Sequence, residues 1–396
     1  MAGRPGARPR LLVLGAGPAQ LGLLRAARER DLHVIAVDRD PAAPGFRYAD
    51  TRALLSTEDE SDVERLARTE KIDGVISPGA DWTVAVAARI AERLRLPHPI
   101  DGATAVLATS KQRQRERFAA AGVPQPRPLA EPVVPCVVKA PDRQGQRGLT
   151  LVRDESELPA ALATAIAASR NGGFLAEEYV EGPEVTVNAV SVDGVFHPLA
   201  VTERLTAEPP AFGVALAHAW PADEACVGST QALNDTARAA AEALGVRNGP
   251  TYTQIRVGKN GNRVVELAAR LGGGHDAELV ELATGARLND LALDFALGER
   301  VRVDPTQSLL APDVGGACVL FLVAPEGELV EVEGVKEAEA IEGVAEIRLY
   351  RRPGHVFGPL LRGADRAGAI LATGGSRDDA LERARRAAAV LRFVIR

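Results

Sequence analysis

The sequence predicts an α/β protein: a doubly wound parallel sheet first, a mixed strand–helix centre next, and a small α+β unit last. Three observations predict it. The first hundred residues alternate short apolar runs with helical spacing, the pattern of a parallel sheet covered on both faces. The centre carries strands that end in charged side chains beside glycine-rich loops, Val137-Val-Lys139 before Gly145 and Gly148, and Val264-Val-Glu266 before Arg270 and Gly272–Gly274. The last ninety residues return to short strands and one closing helix.

The elements follow in order. Leu11–Leu14 is a buried-strand run ending in glycines, and Gln20–Arg30 has helical spacing. Val34–Val37 is a second strand ending at Asp38, Asp62–Glu70 a second helix, Gly74–Ile76 a third strand, and Trp82 to Leu94 a third helix. Ligands of such sheets sit at the carboxyl ends of the strands, which points to Gly15–Gln20, Asp38 and Ser77–Asp81. A boundary is expected near Leu96–Pro99. The next helix opens at Ser110, a good N-cap, carries Lys111 in its first turn and ends at Gly122. A proline-rich connector leads to the Lys139 strand. Further on, Val185–Val192 alternates, and Gln231–Leu244 and Ala286–Leu297 are helical. Strands near Ala317–Val323, Ala345–Tyr350 and Ile370–Thr373 precede a helix over Arg377–Leu391. The expected units are 1–108, 109–305 (a lid over about 125–200) and 306–396.

Composition narrows the partners. Apolar and charged fractions of 46% and 25% are ordinary for a globular chain of 396 residues, which is long enough for two or three packed lobes. A net charge of −6 without a long basic run excludes an extended nucleic-acid surface. The clusters Arg113–Arg117 and Arg383–Arg386 are read as solvated helix faces. Three scattered cysteines, Cys136, Cys226 and Cys318, give neither a disulfide framework nor metal spacing and are read as small buried hydrophobes of a reducing compartment. The start from Met1 to Leu14 has the outline of a signal peptide, but Gly15 and Gly17 interrupt the apolar run and Arg25, Arg28 and Arg30 follow. No run is long enough to span a bilayer. The expected location is cytoplasmic, and the prevalence of two-fold homo-oligomers makes a homodimer the default assembly.

The chemistry concentrates in the centre. Leu175-Ala-Glu-Glu-Tyr-Val-Glu-Gly-Pro-Glu184 is a strand, a turn and an acid. An extended Glu178–Val180 backbone can offer a carbonyl and an N–H to an adenine edge, and Glu184 can take two ribose hydroxyls. Lys139 at a strand end would place a point charge on nucleotide phosphates, with the Gly145–Gly148 loop as a mobile cover. Glu266 supplies a carboxylate for Mg²⁺ carried on phosphates, and Arg270 a bidentate donor for a phosphoryl or carboxylate group. The triple glycine after Arg270 argues for a functional surface, since no structural need for it is evident. His218 can orient a substrate or shuttle protons, a satisfied structural histidine being an equal reading. His275 and Asp276 are candidates to line an acceptor site, as are Glu203 and Arg204, where a solvated pair is the favoured reading. Gly15-Ala-Gly17-Pro-Ala-Gln20 with Asp38 matches a dinucleotide fingerprint imperfectly: its third glycine is Gln20, and Pro18 removes an N–H. The alternative is a glycine-tight turn with no dinucleotide.

In this order the motifs resemble the ATP-grasp superfamily over essentially the whole chain. The resemblance implies an N-terminal pre-ATP-grasp domain carrying Gly15–Asp38, an ATP-grasp domain and a closing subdomain around Asp365–Gly374. It implies ATP held by Lys111, Lys139, Gly145, Gly148, the Glu177–Glu178–Tyr179–Val180 hinge and Glu184. It implies Mg²⁺, or Mn²⁺, on Glu266, and Arg270 on the transferred phosphoryl or substrate carboxylate. Two positions depart from the family pattern: Gln254 stands where an acid is usual, and Ala268 where an asparagine is frequent. An amide oxygen can still ligate Mg²⁺, so Gln254 joins Glu266 as an expected ligand. The Glu-x-Ala-Ala-Arg-x-Gly-Gly-Gly run resembles the amino-acid ligase branch, which implies small-molecule carboxylate and amine substrates joined through an acylphosphate. Three other readings stay open: carboxylation or amidation of a ribosylamine, a catalytically silent ATP-binding protein, and an NAD-binding protein.

Overall fold

The computed structural model describes residues 8–303 and 314–396. The start of the chain and the boundary expected near 305 lie outside the described residues. The N-terminal sheet has four parallel strands in the spatial order Thr51–Leu54, His33–Asp38, Arg10–Leu14 and Gly74–Ile76. Arg10–Leu14 reads as a continuous apolar run because both its faces are covered: Leu11 and Val13 face one core and Leu12 and Leu14 the other. Thr51–Leu54 was not expected. It is a half-exposed edge strand, and its Thr-Arg-Ala-Leu carries no buried run to betray it. The short helix Gly102–Ala108, capped by Asp101 accepting from Thr104 N, is a second addition.

Residues 136–178 form a small lid. Cys136–Lys139 is the middle strand of three, flanked antiparallel by Leu149–Val152 and Leu175–Glu178. The apolar helix Leu158–Ala168 buries Ala161 and Ala165 among Val138, Val152 and Ala176.

The centre is an eight-stranded antiparallel sheet: Gly261–Ala268, Gly249–Gly258, Glu184–Val192, Val195–Thr206, Ala215–Trp220, Gly316–Leu322, Gly368–Gly374 and Val344–Leu349. Its last three strands come from the C-terminal part of the chain, so the small α+β unit extends the central sheet. The helix Thr230–Ala243, capped by Ser229, packs Leu233, Ala237 and Ala240 against Val185 and Val187. Val185–Val192 does alternate in polarity, yet Thr186 and Asn188 are as buried as the valines between them. Both faces are covered, one by that helix and the other by layers around the cleft. A separate three-stranded sheet, Val356–Phe357, Gly327–Glu333 and Arg392–Ile395, closes the C-terminus.

Cys136 and Cys318 are buried, and burial pushes the Cys318 thiol up to about 12. Cys226 departs from its expectation: it is exposed, with its Sγ 3.3 Å from Asp223. No helix among the described residues is long and apolar enough to cross a membrane.

Candidate functional site

A cleft opens between the lid and the central sheet, lined by Lys111, Lys139, Glu177, Glu184, Glu266 and Arg270 among others. Sheet register sets its floor. Arg256, Glu184, Arg204 and His218 stand directly opposite one another on four successive strands. Two residues along, Gln254 faces both Glu266 and Thr186. Because strand side chains repeat every two residues, these rows project from one face.

Lys139 ends the lid's middle strand, where its Nζ lies 2.6 Å from Glu177 Oε2. Burial, with Arg115 and Lys111 nearby, outweighs Glu177 and pushes the Lys139 ammonium down to about 8. Glu177 is 2% exposed and also accepts from Arg115 Nε at 2.5 Å. Burial alone would raise its carboxyl, but Lys139 and Arg115 hold it below the usual range. Glu177 is thus committed to two cations and positions Lys139, whereas the hinge reading placed it against adenine. Arg115 corrects a second expectation. Arg113 and Arg117 are exposed, but Arg115 is buried and donates to the carbonyls of Val264 and Val265. Lys111, Gln114, Arg115 and Phe118 share one helix face, and that i, i+3, i+4, i+7 spacing was the available signal.

Lys111 Nζ reaches Glu266 Oε1 at 2.8 Å and the Arg143 carbonyl at 2.7 Å. Burial opposes its charge, but Glu266 and Asp81 outweigh burial and raise it; the same contacts hold Glu266 down. Gln114 ties the Lys111 helix to the Glu266 strand, donating to Leu267 O and accepting from Leu267 N. Gln254 donates to Tyr252 Oη at 3.3 Å, and its amide oxygen has no donor among the described residues. One carboxylate and one free amide oxygen on paired strands fit a divalent cation whose remaining ligands are phosphate oxygens and water. Among the described residues no group of three or more His, Cys, Asp or Glu side chains could hold a metal by itself.

Arg270 Nε donates to Asp81 Oδ1 at 2.5 Å, and Asp81 N donates to Gln144 Oε1 at 2.6 Å. Asp81 was not singled out as a residue, although the strand-end rule reached its segment. Along the hinge, Glu178 N and Tyr179 N already donate to Arg127 O and Pro135 O. The Glu178 side chain also turns outward, accepting from Arg127 N. Val180 N has no acceptor among the described residues. Tyr179 and Phe212 meet edge to face with ring centroids 6.2 Å apart, and Arg256 lies over both rings. Glu184 pairs with Arg204 and with Arg256, the latter at 3.2 Å. Gly145 lines both this cleft and its neighbour, whereas Gly148 lines neither and packs against Ala140, Ala165 and Ala168.

That neighbour is a cavity of 490 Å³ reached past Gln144–Arg147, Gln254 and Arg270. His218 lies in its wall and is 2% exposed. Arg204 Nε donates toward Nε2 at 3.4 Å, which puts the ring proton on Nδ1, 3.0 Å from Asp276 Oδ1 in an off-line approach. Nδ1 and Asp276 Oδ1 are both buried without a hydrogen-bond partner among the described residues, so His218 is held in the wall without being fully satisfied. Two of the three glycines have a structural reason, while Gly273 lines the cavity with room for a Cβ. A Cβ on Gly272 would meet Asp276 Oδ2 at 2.2 Å, and one on Gly274 would meet His218 Cε1 at 2.5 Å. Asp276 carries the histidine, and His275 sits behind the wall, 2.5 Å from Tyr350 Oη and 2.9 Å from Arg348. Glu203 points away, to Arg377. Asp38 spends its carboxylate on Ala16 N and Asp40 N, which removes the acid that a dinucleotide ribose would need.

The comparisons with known proteins agree with the fold. The ATP-grasp domain model matches residues 133–278, and the L-amino acid ligase C-terminal domain 2 model matches residues 320–396. A protein of Sinorhizobium fredii called y4rH is 28% identical over 90% of this chain and 77% of its own length. The formate-dependent phosphoribosylglycinamide formyltransferase of Burkholderia vietnamiensis is also 28% identical, over 97% of this chain and 95% of its own. Among solved structures, an L-amino acid ligase from Bacillus licheniformis superposes with a TM-score of 0.81 at 22% identity, covering 98% of this chain and 99% of that one. Lid, central sheet and C-terminal extension thus coincide with those matches: the chain carries an ATP-grasp domain followed by an L-amino acid ligase C-terminal domain.

Proposed function

We propose that this protein is an ATP-dependent carboxylate–amine ligase releasing ADP and phosphate. The observation that carries the reading is the convergence of Lys111, Lys139, Glu266 and Arg270 on one cleft that opens into a second cavity. Val180 N–H is the free hinge donor for an adenine edge. Tyr179 and Phe212 flank the base. Glu184 faces the ribose, exchanging part of its arginine pairing for two hydroxyls. Lys139 and Lys111 would neutralise the phosphates, and Glu266 with Gln254 would hold Mg²⁺, which would offset the remaining negative charge of the phosphates. Mn²⁺ fits the same oxygen donors.

Arg270 stands at the mouth between cleft and cavity, where it would release Asp81 to take the transferred phosphoryl. A carboxylate oxygen of the substrate attacks the γ-phosphorus, the bond from that phosphorus to the bridging oxygen breaks, and ADP leaves with the electron pair. The amine lone pair then attacks the acyl carbon, and phosphate departs with the C–O pair while the amine proton goes to it or to solvent. Positioning and charge neutralisation are what such a transfer requires of the protein. The Gly145–Gly148 loop is the candidate cover that excludes water from the acylphosphate.

A second reading is favoured by the formyltransferase similarity: formate or bicarbonate as carboxylate and a ribosylamine phosphate as amine. One screen separates the two. ADP release is measured with Mg-ATP over pairs of amino acids, with formate and bicarbonate arms supplied with a ribosylamine phosphate. Release with an amino-acid pair supports the first reading, and release only in the formate or bicarbonate arms supports the second. ATP binding without release in any arm overturns both.

A further inference from the structure

The second cavity is a chamber of arginines. Seven line it, Arg39, Arg147, Arg204, Arg270, Arg351, Arg362 and Arg366, and among the described residues no carboxylate lines it with them. Arg204, Arg270 and Arg362 have acidic partners in Glu184, Asp81 and Asp365. The other four have no carboxylate within ion-pair distance among the described residues. Arg366 lies over the Phe321 ring with its guanidinium carbon 3.7 Å from the centroid, and it bonds only the carbonyls of Gly363 and Ala215. Arg351 donates to Ala364 O at 2.6 Å, yet its Nε is buried with no acceptor at all. Arg147 bonds only the Gln144 carbonyl.

Leaving a buried charge without a counter-charge is expensive, and a buried donor without an acceptor adds to the cost. Arg147, Arg351 and Arg366 are half-buried and Arg39 is exposed, and four cations gathered round one void repel each other as well. The arrangement is relieved when a ligand brings the missing anionic oxygens. The reacting end of the substrate, with the phosphoryl it receives, is already provided for by Arg270 at the mouth.

We propose that the four arginines of this cavity that lack a carboxylate partner among the described residues, Arg39, Arg147, Arg351 and Arg366, bind a second and multiply charged anionic group of the substrate, a phosphate monoester or a further pair of carboxylate oxygens. The assignment rests on the reading of this cavity as the acceptor side of the ligase. It also sets the amine. No acid lines the cavity to balance an ammonium, so the nucleophile reacts as the neutral amine and its substrate is held by its anionic end.

The test is isothermal titration of the full chain with butyrate, glutarate and ethyl phosphate, with and without a saturating non-hydrolysable Mg-ATP analogue. The expected result is that glutarate or ethyl phosphate binds at least about tenfold more tightly than butyrate, in line with added charge-assisted hydrogen bonds. The preferred one of the two identifies the anion. That preference persists with the analogue bound and falls about tenfold in Arg351→Gln/Arg366→Gln. Arg39→Gln, at an exposed position where folding is not at risk, weakens the same ligand. Dianions no tighter than butyrate, dianions displaced by the analogue, or arginine variants that bind as the parent does would overturn the proposal. Dianion binding without ADP release from any amine keeps this inference and removes the ligase reading. ADP release from singly charged amino acids with no dianion preference does the reverse.

Discussion

Lys139 shows how one buried pair sets the working range of the site. Its ammonium is pushed down to about 8 by burial, so the free protein loses that charge as pH rises through 8. Affinity for the non-hydrolysable Mg-ATP analogue should fall about tenfold between pH 7 and 9, the scale of one charge-assisted hydrogen bond. Lys139→Arg should flatten the profile; a Lys139→Arg profile that still falls would place the titration elsewhere. The sign for stability is opposite. Between about 8 and the unfolded value near 10.4 the unfolded chain binds more protons than the folded one, so this group's contribution to stability rises with pH there. Glu266 gives the matching test of catalysis. Glu266→Ala should eliminate amine-dependent ADP release while circular dichroism shows the fold intact, and undiminished turnover would remove Glu266 from the mechanism.

Gly272 and Gly274 act at the scale of the element. They let the turn into the helix Asp276–Thr284 close over a carboxylate and an imidazole. Gly272→Ala should therefore cost about 1–3 kcal/mol in urea denaturation through overpacking. An unchanged midpoint would mean that Asp276 swings aside freely. The same element shows what sequence can tell. Arg270 and the glycine run were legible because charge and glycine at a strand end are local signals. Their reason was not, because Asp276 and His218 meet only through folding. Arg115 differs again: helical spacing alone would have put it on the buried face with Phe118. Glu177 and Glu178 are adjacent and chemically identical, and strand alternation sends one inward to Lys139 and the other out to Arg127. Only the register distinguishes them.

At the scale of the molecule, Arg348 joins three parts. On the strand Val344–Leu349 it is 3% exposed and bonds Glu278, Glu346 and His275, while Arg25 of the N-terminal domain reaches Glu346 at 2.9 Å. Burial would raise the Glu278 carboxyl, but Arg348 and His275 hold it well below the carboxylate range. Arg348→Met should lower stability by about 3–5 kcal/mol at neutral pH, since it strands a buried carboxylate. Arg348→Met/Glu278→Met should recover most of that loss, and a double variant as weak as the single one would show that packing, not charge, is at fault. Because the folded pKa is depressed, this contribution is present above the unfolded value near 4.3 and is lost as pH falls toward the folded one. The alternating strands and helices of the first hundred residues made the N-terminal domain legible. The central sheet was legible only in part, Ala215–Trp220 and Gly249–Gly258 having gone unread, and its order was not legible because its pairings cross long stretches of chain.

That order has a consequence for how the protein is made. Gly316–Leu322 pairs with Ala215–Trp220, and Gly368–Gly374 and Val344–Leu349 complete the sheet beyond it. A chain emerging from the ribosome can finish its N-terminal domain early, but the wall behind His218 has no partner until more than a hundred further residues have been synthesised. Until then Ala215–Trp220 is an unpaired edge. Cleavage between the second and third units would expose that edge again, so separately expressed halves should aggregate alone and recover a cleft only when they fold together.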